Sequence, residues 1–146
     1  MSQRYDAPGV GARVFNAAIR RLAELGVSVQ GSTVARVRGR TSGQMRAVVV
    51  NLLTVDGRAY LVSPRGNTQW ARNLRAAGEV ELGSNRAARR HRVVEVVDAA
   101  KPALIRSYLH RWHWQVKSHI GGLTPASSPD QIRAVATSIP VFEVLG

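Results

Sequence analysis

The chain has 146 residues, a length that suits one domain, and 45% of them are apolar, enough to bury one continuous core. Its 21 Lys and Arg against 9 Asp and Glu give a formal net charge of +12, which makes an anionic partner the first expectation. The absence of cysteine excludes a disulfide framework, a thiolate nucleophile and any cysteine-ligated zinc or iron–sulfur site, and no stretch approaches the roughly 20 apolar residues that span a bilayer.

The first residues, Met1-Ser2-Gln3-Arg4-Tyr5-Asp6, lack the apolar core of a signal peptide, so the expected location is the cytoplasm, with peripheral contact at the inner membrane face left open. Residues 1–30 make up a first region. Between Gly9 and Leu25, Val10, Val14, Ala18, Leu22 and Leu25 recur at three- or four-residue spacing beside Arg13, Arg20 and Arg21. This predicts an amphipathic helix docked on its own domain, with an anionic lipid surface as the alternative.

Residues 33–97 read as the core of a barrel. Thr33–Arg38, Arg46–Val55 and Arg58–Ser63 are rich in β-branched residues, and Asp56-Gly57 suits a tight hairpin turn. Thr68–Ala77 predicts a short helix ended by Gly78, followed by a strand pair, Glu79–Leu82 and Arg86–Val97, around Gly83-Ser84-Asn85. In residues 98–146, Asp98 is expected to cap a helix running from about Ala99 to Ser118, with Leu104, Ile105, Tyr108, Leu109, Trp112 and Val116 as its sheet-facing stripe. Gly121-Gly122 and Pro125–Pro129 read as loop, and Ile139–Leu145 as the closing strand. Meandering strands with few helices predict an α+β, mainly β fold in one domain spanning 1–146, a small antiparallel barrel with helices packed outside.

The segment Gly39-Arg40-Thr41-Ser42-Gly43-Gln44-Met45-Arg46 joins two of these strands. Its glycines allow a tight turn and close approach of backbone to a ligand, while Arg40, Arg46, two hydroxyls and backbone N–H groups can converge on one anion. Taken alone, such a segment is more often a solvated turn. A second segment, Ser63-Pro64-Arg65-Gly66-Asn67-Thr68-Gln69-Trp70-Ala71-Arg72-Asn73-Leu74, lies between a strand and a helix. Ser63 and the backbone around Gly66 can hydrogen-bond the edge of a flat ring, and Trp70 and Leu74 can support its face or serve as core anchors.

Taken together, in the order G-R-T-S-G-Q-x-R, then strand, hairpin and strand ending in Ser, then W-x-x-N-L, the chain resembles the deazaflavin-dependent nitroreductase and quinone reductase family, whose coenzyme is F-420. The resemblance covers about Val34 to Leu82 and implies a split β-barrel. It implies that the coenzyme phosphate and acidic tail lie near Arg40, Thr41, Ser42, Gly43, Gln44 and Arg46. The deazaflavin ring would then run along Val48, Val49, Val62, Ser63, Arg65 and Gly66, with Trp70 and Asn73 shaping the pocket. The implied activity is hydride transfer from the reduced coenzyme to a small hydrophobic quinone, enone or nitro-type acceptor. FMN in the same barrel and non-catalytic binding of the coenzyme or of an anionic lipid are the alternatives. This chain has Thr41 where members often carry Lys, and lacks the tyrosines expected on the substrate side, so the acceptor and oligomeric state stay open.

Other residues are weighed against this reading. Arg86, Arg89, Arg90 and Arg92 form a basic run expected on an exposed edge or rim, with nucleic acid as the less favoured partner. His110, His113 and His119 lack a nearby carboxylate or cysteine, so no metal site is expected, and no catalytic nucleophile pair is found. Trp112 and Trp114 lie on different helix faces, which makes one a core residue and leaves Trp114, with His113, as candidate substrate-side groups.

Overall fold

A computed structural model describes residues 32–83, 87–116 and 120–146 of the chain. The expected amphipathic helix at residues 9–25 lies outside the described residues, as does much of the turn at 83–85. Among the described residues there are six strands, β1 Ser32–Arg38, β2 Met45–Val55, β3 Arg58–Val62, β4 Glu79–Leu82, β5 Arg89–Glu95 and β6 Val141–Val144, and three α-helices, α1 Gln69–Ala77, α2 Lys101–Val116 and α3 Pro129–Ala136.

The strands close into an antiparallel barrel in the order β1-β2-β3-β6-β5-β4. The β2–β3 hairpin turns on Asp56 and Gly57, both at positive φ (51° and 76°), the backbone that an Asp-Gly pair tolerates and that matches strand twist. β2 is shared unequally between its neighbours: β1 pairs with Met45 to Asn51, and β3 with Leu52 to Val55. The barrel is thus split along β2, and α1 with its preceding loop lies where β3 stops.

Alternation along the strands feeds two apolar clusters. One lines the barrel interior with Ala35, Val37, Val50, Leu61, Val80, Leu82 and Phe142, into which α1 inserts Ala71 and Leu74. The other lies outside the sheet, where α2 and α3 cover Leu53, Tyr60, Val62 and Val141. All six residues of the expected α2 stripe are buried in this second cluster. Within it the Tyr108 hydroxyl accepts a hydrogen bond from Asn51 Nδ2 at 3.3 Å, and burial pushes its pKa up to about 12.

Three expectations are corrected. Arg89, Arg90 and Arg92 are exposed, but β5 is not an edge: β4 pairs with Arg89 to Arg92, and β6 with Val93 to Glu95. Asp98 opens a 3-10 turn ahead of α2, and its carboxylate lies 2.7 Å from the buried Lys101 Nζ, which also donates to the Ala136 carbonyl at the end of α3. Inside the expected loop, Ser128 caps α3 with a capping box, its hydroxyl accepting from Gln131 N–H while Gln131 Oε1 accepts from Ser128 N–H.

Candidate functional site

The turn between β1 and β2 is built tightly around Gly39. A Cβ there would stand 2.6 Å from Ser42 Oγ and 3.3 Å from the Gln44 carbonyl, so no side chain fits without displacement. Gly39 N–H donates to Gln44 O at 2.8 Å, Gly43 N–H to Gly39 O at 3.0 Å and Gln44 N–H to Ser42 Oγ at 3.2 Å. Arg38 Nη1 closes the turn on the Gly43 carbonyl at 2.6 Å. With the Arg40 N–H also engaged, the turn's anion-binding capacity rests on its side chains and on the N–H groups of Thr41 and Ser42, which find no acceptor among the described residues. Arg46 Nε lies 3.7 Å from the position a Gly39 Cβ would take, so this guanidinium lies against the turn. Arg40, Thr41, Ser42, Gly43, Gln44 and Arg46 are all exposed.

The second segment folds on itself. Ser63 is fully buried; its hydroxyl donates to the Gly66 carbonyl at 2.6 Å and lies 3.0 Å from Thr68 Oγ1. Gly66, at φ 100°, donates to Ser63 O, and Thr68 then caps α1 by accepting from Ala71 N–H. Internal hydrogen bonding therefore engages the Ser63 hydroxyl within the loop. Trp70 is half-buried against the inner cluster, as is Val48 from β2, whereas Val49 occupies the opposite face of that strand. Val62 is buried in the outer cluster beneath α2, and Arg65 is half-buried.

Asn73 joins the two segments. It is 6% exposed, and its Oδ1 accepts from the Arg40 N–H at 3.1 Å and from Arg40 Nη1 at 2.7 Å. The arginine turn is thus clamped to α1, and the remaining guanidinium donors of Arg40 stay at the surface. On the other flank of α1, Arg75 forms a bidentate pair with Glu95 of β5, at 2.7 and 2.8 Å, and its Nη1 donates to Asn67 Oδ1 at 3.1 Å. The hydrogen bond to Glu95 raises the Arg75 pKa above its ordinary value. The Arg75–Glu95 pair carried no sequence signal of this role, because it joins α1 to β5 across 20 residues.

His113 is half-buried and Trp114 is 58% exposed at the carboxyl end of α2. No hydrogen bond among the described residues joins either to the arginine turn or to the Ser63–Trp70 segment. Groups of three or more His, Cys, Asp or Glu placed to hold a metal are absent from the described residues, and among them no helix is long and apolar enough to cross a membrane.

The residues present fit the anionic arm of a coenzyme better than they fit any buried anion: the guanidiniums of Arg38, Arg40 and Arg46, two hydroxyls and the two amide groups without an acceptor among the described residues surround a turn with no room for a side chain at Gly39, and these residues are exposed. A flat ring has apolar support at hand in Val48 and Trp70, both half-buried against the inner cluster.

A family model described as F420H(2)-dependent quinone reductase matches residues 12–118. No curated protein matches the sequence. Among solved structures, one described as a domain-swapped dimer aligns with a TM-score of 0.53 at 17% identity, covering 88% of this chain and 91% of that one. An F420-H2 dependent reductase aligns at 0.52 with 16% identity, covering 78% and 93%. The conserved hypothetical protein Rv2991 from Mycobacterium tuberculosis aligns at 0.50 with 15% identity, covering 100% and 86%. These likenesses establish the split-barrel fold.

Proposed function

Because the chain belongs to the F420H(2)-dependent quinone reductase family, and is therefore an oxidoreductase, we propose that it binds coenzyme F-420 across the arginine turn and α1 and reduces a quinone-type acceptor. The observation that carries this reading is the Asn73 clamp, which joins the two sequence motifs into one continuous surface. Arg40 and Arg46 would hold the phosphate and carboxylates of the coenzyme tail, helped by the Thr41 and Ser42 amides and hydroxyls. Val48 and Trp70, with Ser63, Arg65 and Gly66 of the loop, would border the ring, and Val49 and Val62, on the other face of the sheet, would stand behind it. When bound, the coenzyme supplies the hydride; the chain contributes position and exclusion of water. Enones and nitro compounds belong to the same proposal as alternative acceptors, with His113 and Trp114 as candidate contacts for them.

Fluorescence titration of the purified protein with coenzyme F-420 tests this. We expect dissociation constants in the micromolar range or tighter, lost in the double variant Arg40→Ala, Arg46→Ala. Equal affinity in parent and double variant would refute the arginine turn as the tail site.

A further inference from the structure

Arg75 and Glu95 lie outside both sequence motifs, yet they connect the loop Ser63–Thr68 to the barrel wall. Their side chains are 41% and 35% exposed, and half-exposed ion pairs contribute little to stability. The geometry nevertheless specifies more than an incidental surface contact. Both carboxylate oxygens of Glu95 are engaged, by Nε and Nη2, which fixes the plane of the guanidinium. That plane aims the third nitrogen, Nη1, at Asn67 Oδ1, and Asn67 is only 8% exposed. Glu95 in turn is held in β5 opposite Phe142 of β6, a fully buried member of the inner cluster. The loop is also tied at its start, where Ser63 N–H donates to Pro140 O at 2.9 Å. Its far end has the strut from β5.

We infer that Glu95, acting through Arg75 and Asn67, is a positioning residue that fixes the Ser63–Thr68 loop against the barrel wall and so the placement of the coenzyme ring. This rests on the proposed function, and it separates two tasks: the arginine turn holds the tail, while the strut orients the ring. Removing the strut should therefore slow hydride transfer while leaving affinity nearly unchanged. A displacement of the reacting atoms by a fraction of an ångström to an ångström lowers rates on the order of 10- to 100-fold.

The test compares Glu95→Gln with Glu143→Gln, an equal change of charge on neighbouring β6, where Glu143 lies 4.0 Å from the exposed Arg58 and, among the described residues, has no hydrogen bond or ion pair to the loop. Three quantities are read: single-turnover oxidation of reduced coenzyme F-420 by a quinone, the coenzyme dissociation constant, and amide hydrogen exchange at Gly66 and Thr68 without coenzyme. The expected result for Glu95→Gln is an oxidation rate lowered about tenfold or more, a dissociation constant within about threefold of the parent, and faster exchange at the two amides. Glu143→Gln should match the parent in all three. Unchanged exchange or an unchanged rate in Glu95→Gln overturns the positioning role, as does an equal loss in both variants. A parent protein that binds no coenzyme overturns the functional reading itself, and the positioning role with it.

Discussion

Replacing Asn73 by alanine removes the acceptor that holds Arg40 at two points, 3.1 Å from its backbone N–H and 2.7 Å from Nη1. A neutral hydrogen bond contributes about 0.5–1.5 kcal/mol net, and one from a charged donor about 1.5–3 kcal/mol. Arg40 is exposed, so water replaces the lost acceptor at its guanidinium and the second figure falls to the lower end of the first. The expected stability loss is about 1–2 kcal/mol, read as a lower urea midpoint with an unchanged slope. With the turn released from α1, coenzyme F-420 should bind roughly tenfold more weakly, equivalent to about 1.4 kcal/mol. Asn73→Asp separates the two effects. Its carboxylate still accepts both bonds, which preserves the fold, but it neutralises the guanidinium that the coenzyme tail needs. Affinity should fall at least as far as in the alanine variant while the urea midpoint stays close to that of the parent. An aspartate variant that binds the coenzyme as tightly as the parent would refute the assignment of Arg40 as an anion anchor.

Gly39→Ala forces Ser42 to rotate away from the new methyl group, 2.6 Å from its hydroxyl, and breaks the bond from Gln44 N–H; a loss of about 1 kcal/mol is expected, and a double-mutant cycle with Ser42→Ala should recover part of it. Tyr108 holds its proton to about pH 12 in the folded state, whereas an unfolded tyrosine loses it near pH 10. The folded state therefore binds more protons in that window, so stability should fall as pH rises from about 10 to 12, and Tyr108→Phe should flatten the decline in a thermal melt series. Ser128→Ala removes one half of the capping box of α3 and should lower stability by about 1 kcal/mol in urea denaturation; no loss would mean that α3 is held by its packing alone.

Much of the barrel was legible because local chemistry and tertiary placement agree. The Asp56-Gly57 hairpin forms at the expected residues, Gly78 ends α1 in the left-handed conformation with its N–H on Leu74 O, and the α2 stripe is buried as its spacing predicts. The strand and helix ends differ by one to three residues where side-chain caps or tertiary pairing decide, as at Thr68, which caps α1 instead of starting it. Helix α3 escaped notice because Ile132, Val135 and Ala136 give too short an apolar pattern to show a period, although Ser128 and Gln131 had the spacing of a capping box. At the candidate site the two motifs were visible but their union was not: Arg40 and Asn73 are 33 residues apart, and nothing local to either specifies the contact. Of the backbone N–H groups expected to face an anion at the turn, those of Gly39, Gly43 and Gln44 are engaged within it and that of Arg40 by Asn73, because a tight turn satisfies much of its own backbone first.

Leu61 and Val62 are neighbours in sequence, yet they belong to different apolar clusters on opposite sides of the sheet. Substitutions at well-separated sites without shared partners combine additively, so volume changes among α2, α3 and the outer cluster should leave the barrel interior and α1 largely unaltered. That partition gives the fold a route for divergence: residues on one side of the wall can change over generations while those on the opposite side are kept.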